Sequence, residues 1–169
     1  LNGELVTPMF GGGVEAGQVD KEQPIRATGI IGQLRHWWRM TCGESDPATL
    51  FKRETAIWGG ISREGPTASK VQIAVQTLGK VKVDRIPQHN YATFPAREST
   101  RPPRQAEKPM GQPGLRFQLT MTLDPRLPDA AVHEIQTAIR WWASFGGIGA
   151  RTRRGLGAVR MQSDGPQDW

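Results

Sequence analysis

Residues 115–123 restrict the possible fold more than any other segment of this sequence. Apolar and polar residues alternate strictly through them. The apolar members are Leu115, Phe117, Leu119, Met121 and Leu123. A period of two places all five side chains on one face of a β-strand. The segment therefore predicts a strand with one buried and one solvated face, in a sheet that a second layer of structure covers.

Two other segments have the three- and four-residue spacing of amphipathic helices. The first covers residues 28–41 and stops before Gly43, and the second runs from Pro128-Asp129 to Phe145, before the pair Gly146-Gly147. Their helical stripes are Ile30, Ile31, Leu34, Trp37, Trp38 and Thr41 in the first, and Val132, Ile135, Ile139 and Trp142 in the second. A third, shorter helix is predicted over residues 49–58.

The remaining strands are shorter. We predict strands over residues 1–6 and 157–161, and a bent strand or a hairpin over residues 70–83. The order strand, helix, strand, strand, helix, strand is the βαββαβ pattern of ferredoxin-like (RRM-like) α+β domains, with both helices on one face of the sheet. Residues 84–114 hold six of the thirteen prolines, which indicates a long insertion or loop. We expect one domain over residues 1–169.

The charge of the chain favours a polyanionic partner. Twenty-two Lys and Arg residues outnumber sixteen Asp and Glu residues, for a net charge of +6. Residues 135–163 contain arginines but no acidic residue, so the positive charge is concentrated toward the C-terminal end. Such a distribution is typical of a phosphate-binding surface.

The single cysteine, Cys42, excludes an internal disulfide and a zinc site built from several cysteines. We expect no metal ion or other cofactor. The sequence has no apolar run long enough for a membrane span, and it does not begin with a signal segment. These features predict a cytoplasmic protein that does not contact a membrane.

The strongest chemical motif is residues 146–157, here called the Gly/Arg loop, which has five glycines and three arginines. Glycine lets the backbone approach a phosphate closely, and the planar guanidinium of arginine offers several donors to phosphate oxygens. Dinucleotide and P-loop motifs lie between a strand and a helix, whereas this loop follows a helix and precedes a strand. The loop therefore predicts contact with a nucleic-acid backbone rather than with a nucleotide cofactor.

The first helix carries a second stripe, formed by Thr28, Gly32, Arg35 and Arg39. Gly32 costs about 1 kcal/mol of helix propensity relative to alanine and leaves the helix surface open to approach. Three interpretations of the two arginines are open. They bind RNA phosphates, they pair with acidic groups of a neighbouring subunit, or they form a solvated basic face.

Three motifs occur together in a fixed order: Thr7-Pro-Met-Phe-Gly-Gly-Gly13, the helix of residues 25–39 with its double tryptophan, and the Gly/Arg loop, with Ile57-Trp-Gly59 after the first helix. In this combination the sequence resembles the RAMP superfamily of CRISPR-associated proteins. Within that superfamily it is most similar to the first RAMP subunit of the Cmr (type III-B) effector complexes, which the double tryptophan favours over the repeated backbone subunits.

The resemblance implies a ferredoxin-like fold with insertions and a C-terminal glycine-rich loop. It also implies binding of CRISPR (guide) RNA or target RNA, and assembly beside other RAMP subunits of a type III effector complex in antiviral defence. The positions that match the family's RNA-binding motifs are Arg26, Gly32, Arg35, Arg39, Gly147, Gly149, Arg151, Arg153, Arg154, Gly155 and Gly157. Two features depart from the family: the chain has one RAMP unit where related members often have two, and Ala27-Thr28-Gly29 stands where serines are usual.

We expect no catalytic residue in this chain. Related proteins that cleave RNA use a histidine as general acid or base, or an aspartate in a loop. The candidates here are His36, His89, His133 and Asp20, the last of which lies in the loop before the first helix. The first alternative is a metal-independent CRISPR endoribonuclease that uses His36 or Asp20, and the second is a structural subunit that binds only protein.

The segment around Tyr91 and Phe94 interleaves aromatic residues with Arg97, Arg101 and Arg104. An exposed aromatic ring could stack on an unpaired base. The two rings could equally anchor the long insertion to the core, and the sequence leaves both interpretations open.

Overall fold

The computed structural model describes residues 1–63, 65–85, 91–102, 104 and 106–163. The strands in these residues are β1 (Asn2–Leu5), β2 (Gly60–Ser62), β3 (Gly65–Thr67), β4 (Val71–Leu78), β5 (Val83–Asp84), β6 (Met110–Gly111), β7 (Arg116–Leu123) and β8 (Val159–Gln162). The α-helices are α1 (Ala27–Thr41), α2 (Pro47–Trp58) and α3 (Asp129–Phe145). Among the described residues, no helix has the length and apolar character needed to cross a membrane.

The main sheet has the strand order β4-β7-β1-β8, and every neighbouring pair is antiparallel. Gly3 lies opposite both Phe117 and Met161, and Val75 lies opposite Leu119. Directly opposed residues share a face of an antiparallel sheet, so the large apolar residues of the four strands lie on one side, except Leu78, which lies opposite Arg116 on the other face. The predicted α+β class and the alternating strand of residues 115–123 are confirmed.

Helices α1 and α3 cover the apolar face of this sheet. From α1, Ile30, Leu34 and Trp38 are buried; from α3, Ile135 and Trp142 are fully buried in the same core cluster as the apolar residues of the strands. Each buried tryptophan removes about 150–250 Å² of surface from water, which makes the two rings major contributors to the stability of the core. The other face of the sheet carries mainly polar side chains, with Leu78 exposed among them.

Helix α2 begins two residues earlier than the predicted segment. The Asp46 side chain accepts a hydrogen bond from the Thr49 backbone N–H at 2.8 Å, and Pro47 occupies the first turn. Both are favourable at a helix N-terminus, because the cap satisfies an otherwise unpaired amide and proline needs no donor there. After α2 comes a short hairpin, β2–β3, that the sequence does not predict. Its single large apolar residue, Ile61, gives no alternating pattern, and the structure leaves that side chain exposed.

The predicted strand or hairpin of residues 70–83 is one strand, β4, that ends at Leu78. The chain then leaves the main sheet, and β5 pairs with β6 instead of folding back on β4. The β5–β6 pair and a 3-10 turn, Tyr91–Ala96, give structure to the predicted long insertion. A second small core of Phe10, Ala96, Met110 and Leu156 holds it against the rest of the protein.

Candidate nucleic-acid interface

The first glycine loop (residues 7–13) is hydrogen-bonded to the Gly/Arg loop through Thr7, Pro8 and Phe10. The Gly157 N–H donates to the Pro8 carbonyl at 2.8 Å, and the Ala150 N–H donates to the Phe10 carbonyl at 2.7 Å. The Thr7 hydroxyl donates to the Gly155 carbonyl at 2.7 Å. Two motifs from opposite ends of the sequence therefore form one structural unit.

The Gly/Arg loop closes tightly on itself and on α3. The Trp142 indole N–H donates to the Gly147 carbonyl at 3.2 Å, and the Ile148 N–H donates to the Gly157 carbonyl at 2.8 Å. Gly157 has φ +69°, and a Cβ atom there would lie 1.8 Å from the Ile148 carbonyl oxygen. Only glycine fits this approach, which identifies a structural reason for one of the predicted RNA-binding glycines.

A cleft of about 340 Å³ lies where the two loops meet the N-terminus of α1. Its lining includes Gly12, Arg26, Thr28, Gly29, Gly147 and Gly149. No side chain of the described residues caps the first turn of α1, and its first four residues are uncharged. The unpaired amides at a helix N-terminus carry partial positive charge, so this end of the cleft favours an anion.

A second groove of about 760 Å³ continues from the cleft, with which it shares Gln33 and Gly149. Its other lining residues are Arg151, Thr152, Arg153 and Arg154. All three arginines are exposed, and none forms an ion pair with a carboxylate in the described part of the chain. This groove presents three positive charges to solvent.

Arg151 has φ 62°, the left-handed region that a residue with a Cβ atom rarely adopts. It is the one non-glycine residue in that region among the described residues. Such a conformation costs on the order of 1–2 kcal/mol. Strain of this kind concentrates at functional sites, and here it lies in the groove that the arginines line.

Arg26, at the mouth of the cleft, is held by Asp20. Its Nη2 atom donates to Asp20 Oδ2 at 2.7 Å. Asp20 Oδ1 also accepts hydrogen bonds from the backbone N–H groups of Gln23 and Glu22, each at 3.0 Å. The hydrogen bond from Gln23, followed by those from Arg26 and Glu22, lowers the pKa of Asp20. In this geometry Asp20 orders the loop before α1 and orients Arg26.

Arg35 and Arg39 pair with a carboxylate of their own chain, an arrangement that none of the three sequence-based interpretations included. Arg35 Nε donates to Glu54 Oε1 at 2.6 Å, and Arg39 donates to both Glu54 oxygens at 2.6 and 2.7 Å. Glu54 lies on α2 and is 4% exposed. Burial by itself would raise the pKa of Glu54, but the hydrogen bonds from Arg39 and Arg35 outweigh it and lower the pKa.

Sequence reasoning missed Glu54, although a signal for it exists. Glu54 is the single acidic residue of α2, and it lies on the same buried side of that helix as Ile57 and Trp58. A lone carboxylate on an apolar face predicts a buried ion pair, because an unpaired buried charge is very costly. The two arginines of α1 supply the partners.

The structure places the eleven predicted RNA-binding residues in different surroundings, and Gly157 is packed against the Ile148 carbonyl. Those that line the cleft or the groove are Arg26, Gly147, Gly149, Arg151, Arg153 and Arg154. Gly155 lies at the open edge with φ +77°, and a Cβ atom added there would have no described atom within 4 Å. Gly32, Arg35 and Arg39 lie elsewhere on α1, and the direct contact with RNA predicted for them stays a prediction.

The two histidine candidates that the structure describes, His36 and His133, lie on the surface. His36 is exposed and packs edge-on against Trp37, with ring centroids 5.7 Å apart. His133 is also exposed, and His89 lies outside the described residues. The described residues hold no group of three or more potential metal ligands. The expectation that the chain is not an enzyme stays a prediction.

The family model described as the RAMP superfamily matches residues 3–160 of this chain. The match covers nearly the whole chain, and it confirms the family that the three motifs predicted. No curated protein matches the sequence.

The solved structures that share the fold include the following three. Cmr1 from Pyrococcus furiosus (apo form) is 22% identical, with a TM-score of 0.64 over 96% of this chain and 49% of that one. A chain of a type IV-B CRISPR complex is 15% identical, with a TM-score of 0.60 over 99% of this chain and 94% of that one. A chain of the type III-B Cmr-beta complex bound to cognate target RNA is 14% identical, with a TM-score of 0.57 over 94% and 52%. The chain thus spans about half the length of Cmr1 and of the Cmr-beta chain.

Proposed function

Since the chain belongs to the RAMP superfamily, we propose that it is a non-catalytic RNA-binding subunit of a type III CRISPR RNA-guided effector complex. In this role it contacts CRISPR RNA or target RNA and neighbouring RAMP subunits in antiviral defence. The likeness to Cmr1 and to a chain of a Cmr complex bound to target RNA supports this choice of complex. A cytoplasmic location agrees with the free thiol of Cys42.

The proposal includes a single ferredoxin-like domain with the insertion of residues 84–114. The sheet order β8-β1-β7-β4, with α1 following β1 and α3 following β7, supports that assignment. The Gly/Arg loop then joins α3 to β8 at the edge of the sheet, where it meets the N-terminus of α1.

One observation carries the proposal: the cleft at the N-terminus of α1 continues into a groove lined by three arginines without a carboxylate partner among the described residues. Arginine binds phosphate oxygens through a planar set of N–H donors, and a helix N-terminus attracts the same groups. A continuous track of such donors suits successive phosphates of a nucleic-acid strand better than it suits one small anion.

The test is the salt dependence of RNA binding by the purified chain. We expect the dissociation constant for a labelled single-stranded RNA to rise steeply with salt. The double variant Arg153→Ala/Arg154→Ala should flatten the log–log slope by about 0.7 for each lost phosphate contact.

The matched control is Arg116→Ala/Arg160→Ala, which removes the same charge from two exposed arginines on the polar face of the sheet. Equal slopes for the two double variants would mean that binding depends on net charge and not on the Gly/Arg loop.

The endoribonuclease alternative makes a different prediction. A general base must accept a proton, and the lowered pKa of Asp20 makes its carboxylate a weak proton acceptor. If the chain is the non-catalytic subunit proposed above, incubation with a guide precursor should leave the RNA intact. Cleavage that His36→Ala or Asp20→Ala abolishes would instead establish the enzyme.

A further inference from the structure

The 3-10 turn Tyr91–Ala96 is fixed against both loops of the candidate interface. Ala96 is 1% exposed and packs in the second core with Phe10, Met110 and Leu156. Phe10 belongs to the first glycine loop and Leu156 to the Gly/Arg loop. The Lys108 N–H also donates to the Ala96 carbonyl at 2.8 Å. The turn is therefore held in place at the border of the arginine-lined groove.

The two aromatic residues of this turn do not anchor it. Tyr91 is 76% exposed and Phe94 is 67% exposed, whereas Thr93, between them, is 2% exposed. The buried side chains of the turn are thus the small ones, Thr93 and Ala96, whereas the two aromatic rings face solvent. The sequence left open whether these rings anchor the insertion to the core or stack on an unpaired base. Their exposure excludes anchoring to the core.

Arg154 connects the turn to the groove. The guanidinium carbon of Arg154 lies 5.5 Å from the centroid of the Tyr91 ring, within the range of a cation–π contact. A guanidinium stacked in this way keeps its N–H groups directed outward in its own plane, where they can meet phosphate oxygens. The pair joins an aromatic surface to the three positive charges of Arg151, Arg153 and Arg154.

We infer that Tyr91 and Arg154 form a stacking platform for one unpaired base of the RNA whose phosphates lie along the groove. This inference rests on the proposed function and narrows its ligand to single-stranded RNA. A base offers a flat π-face to the exposed side of the pair, whereas in a duplex that face is covered by neighbouring bases. The positive charge around Tyr91 favours a polyanion over an apolar protein segment.

The experiment compares Tyr91→Ala, Tyr91→Phe and a matched control, Phe51→Ala, which removes a half-exposed ring from α2. The probes are a labelled single-stranded RNA, its duplex, and the same strand with one abasic nucleotide at each position in turn. We expect Tyr91→Ala to weaken single-strand binding about 5- to 150-fold, the range for one stacked base. Tyr91→Phe should retain affinity, and duplex binding should not change.

The abasic strands test the stacking contact itself. At one position the missing base should weaken binding to the wild-type protein but cause no further loss in Tyr91→Ala, because the two changes remove the same contact. The salt slope of Tyr91→Ala should equal that of the wild type, since a stacked base contributes no counterion release.

Three results would overturn the platform. Unchanged single-strand affinity in Tyr91→Ala would leave this surface to a protein partner, and an equal loss in Phe51→Ala would show a nonspecific effect. A flattened salt slope in Tyr91→Ala would mean that Tyr91 only positions Arg154. In each case the slope change in Arg153→Ala/Arg154→Ala still decides the proposed function separately.

Discussion

Two groups of arginines match RNA-binding motifs in the sequence, but they differ in their ion-pair partners. Arg35 and Arg39 on α1 share the buried carboxylate of Glu54, and their side chains are 30% and 45% exposed. Arg151, Arg153 and Arg154 in the Gly/Arg loop are exposed and have no carboxylate partner in the described part of the chain. The first group is committed to the contact between α1 and α2, and the second is available to a ligand.

The difference arises from the position of one acid. Glu54 is buried, so the fold requires cations beside it, and the two arginines satisfy that requirement. Residues 135–163 contain no acidic residue, so none of these residues neutralises the loop. The charge of an arginine is therefore informative about ligands only after its partners are known.

The loop depends on backbone packing, and Gly157→Ala should have the largest effect on stability. The added Cβ would meet the Ile148 carbonyl at a distance that no relaxed structure allows, and φ +69° is unfavourable for alanine. We expect a loss of about 3–5 kcal/mol in the free energy of unfolding, measured by urea denaturation. The control is Gly155→Ala, where φ is +77° but the space is open, with an expected loss of about 1 kcal/mol. Equal losses would show that conformational strain alone explains both glycines.

The α1–α2 contact depends on charge, and Glu54→Gln tests it. Removing one partner of a buried ion pair costs about 3–5 kcal/mol, and partial exposure of the arginines reduces our expectation to about 2–3 kcal/mol. Glu22→Gln, at an exposed carboxylate, should change stability by less than about 0.5 kcal/mol.

The same variant addresses RNA. If Arg35 and Arg39 act only within the fold, Glu54→Gln should leave the salt slope of RNA binding unchanged. A steeper slope would show that the two arginines become phosphate ligands once Glu54 is neutral, and the contrast between the two groups would then be one of availability rather than of position.

The pH dependence of stability should show the same ion cluster. The folded-state pKa of Glu54 is below its ordinary value of 4.5. Its contribution is therefore fully present above pH 4.5 and is lost as the pH falls through the lowered pKa. The stability difference between wild type and Glu54→Gln, from urea midpoints, should be constant from pH 7 to about pH 5 and should narrow as the pH falls further below 4.5. A difference that persists at pH 3 would assign the effect to packing.

Arg151 gives the smallest effect on stability and the clearest distinction between stability and function. Arg151→Gly relieves the left-handed strain but raises the conformational entropy of the unfolded chain. The free energy of unfolding should therefore increase by no more than about 1 kcal/mol. Arg151→Ala keeps the strain. Both variants should weaken RNA binding and flatten the salt slope by about 0.7. Retained RNA affinity in either variant would show that the strain at Arg151 serves the loop and not the ligand.

Much of the fold followed from periodicity. The alternation of residues 115–123 and the helical stripes of α1 and α3 identify surfaces that can only be buried, and their elements lie within two residues of the predicted bounds. The end of β4 and its failure to pair with β5 were not predictable, because they depend on the pairing of β5 with β6 across the insertion. Strand partners far apart in sequence leave little local pattern.

The candidate site divides in the same way. By itself the sequence determined which side chains can donate hydrogen bonds to phosphate oxygens, and that glycine-rich segments flank them. Residue type sets both the hydrogen-bond donors and the allowed backbone angles. Only the tertiary structure decided which arginines have a carboxylate partner and which are available to a ligand. That depends on where the packing of α2 against α1 places Glu54. It also decided that Tyr91 faces solvent beside Arg154, because the small residues Thr93 and Ala96, and not the rings, fill the space available in the core.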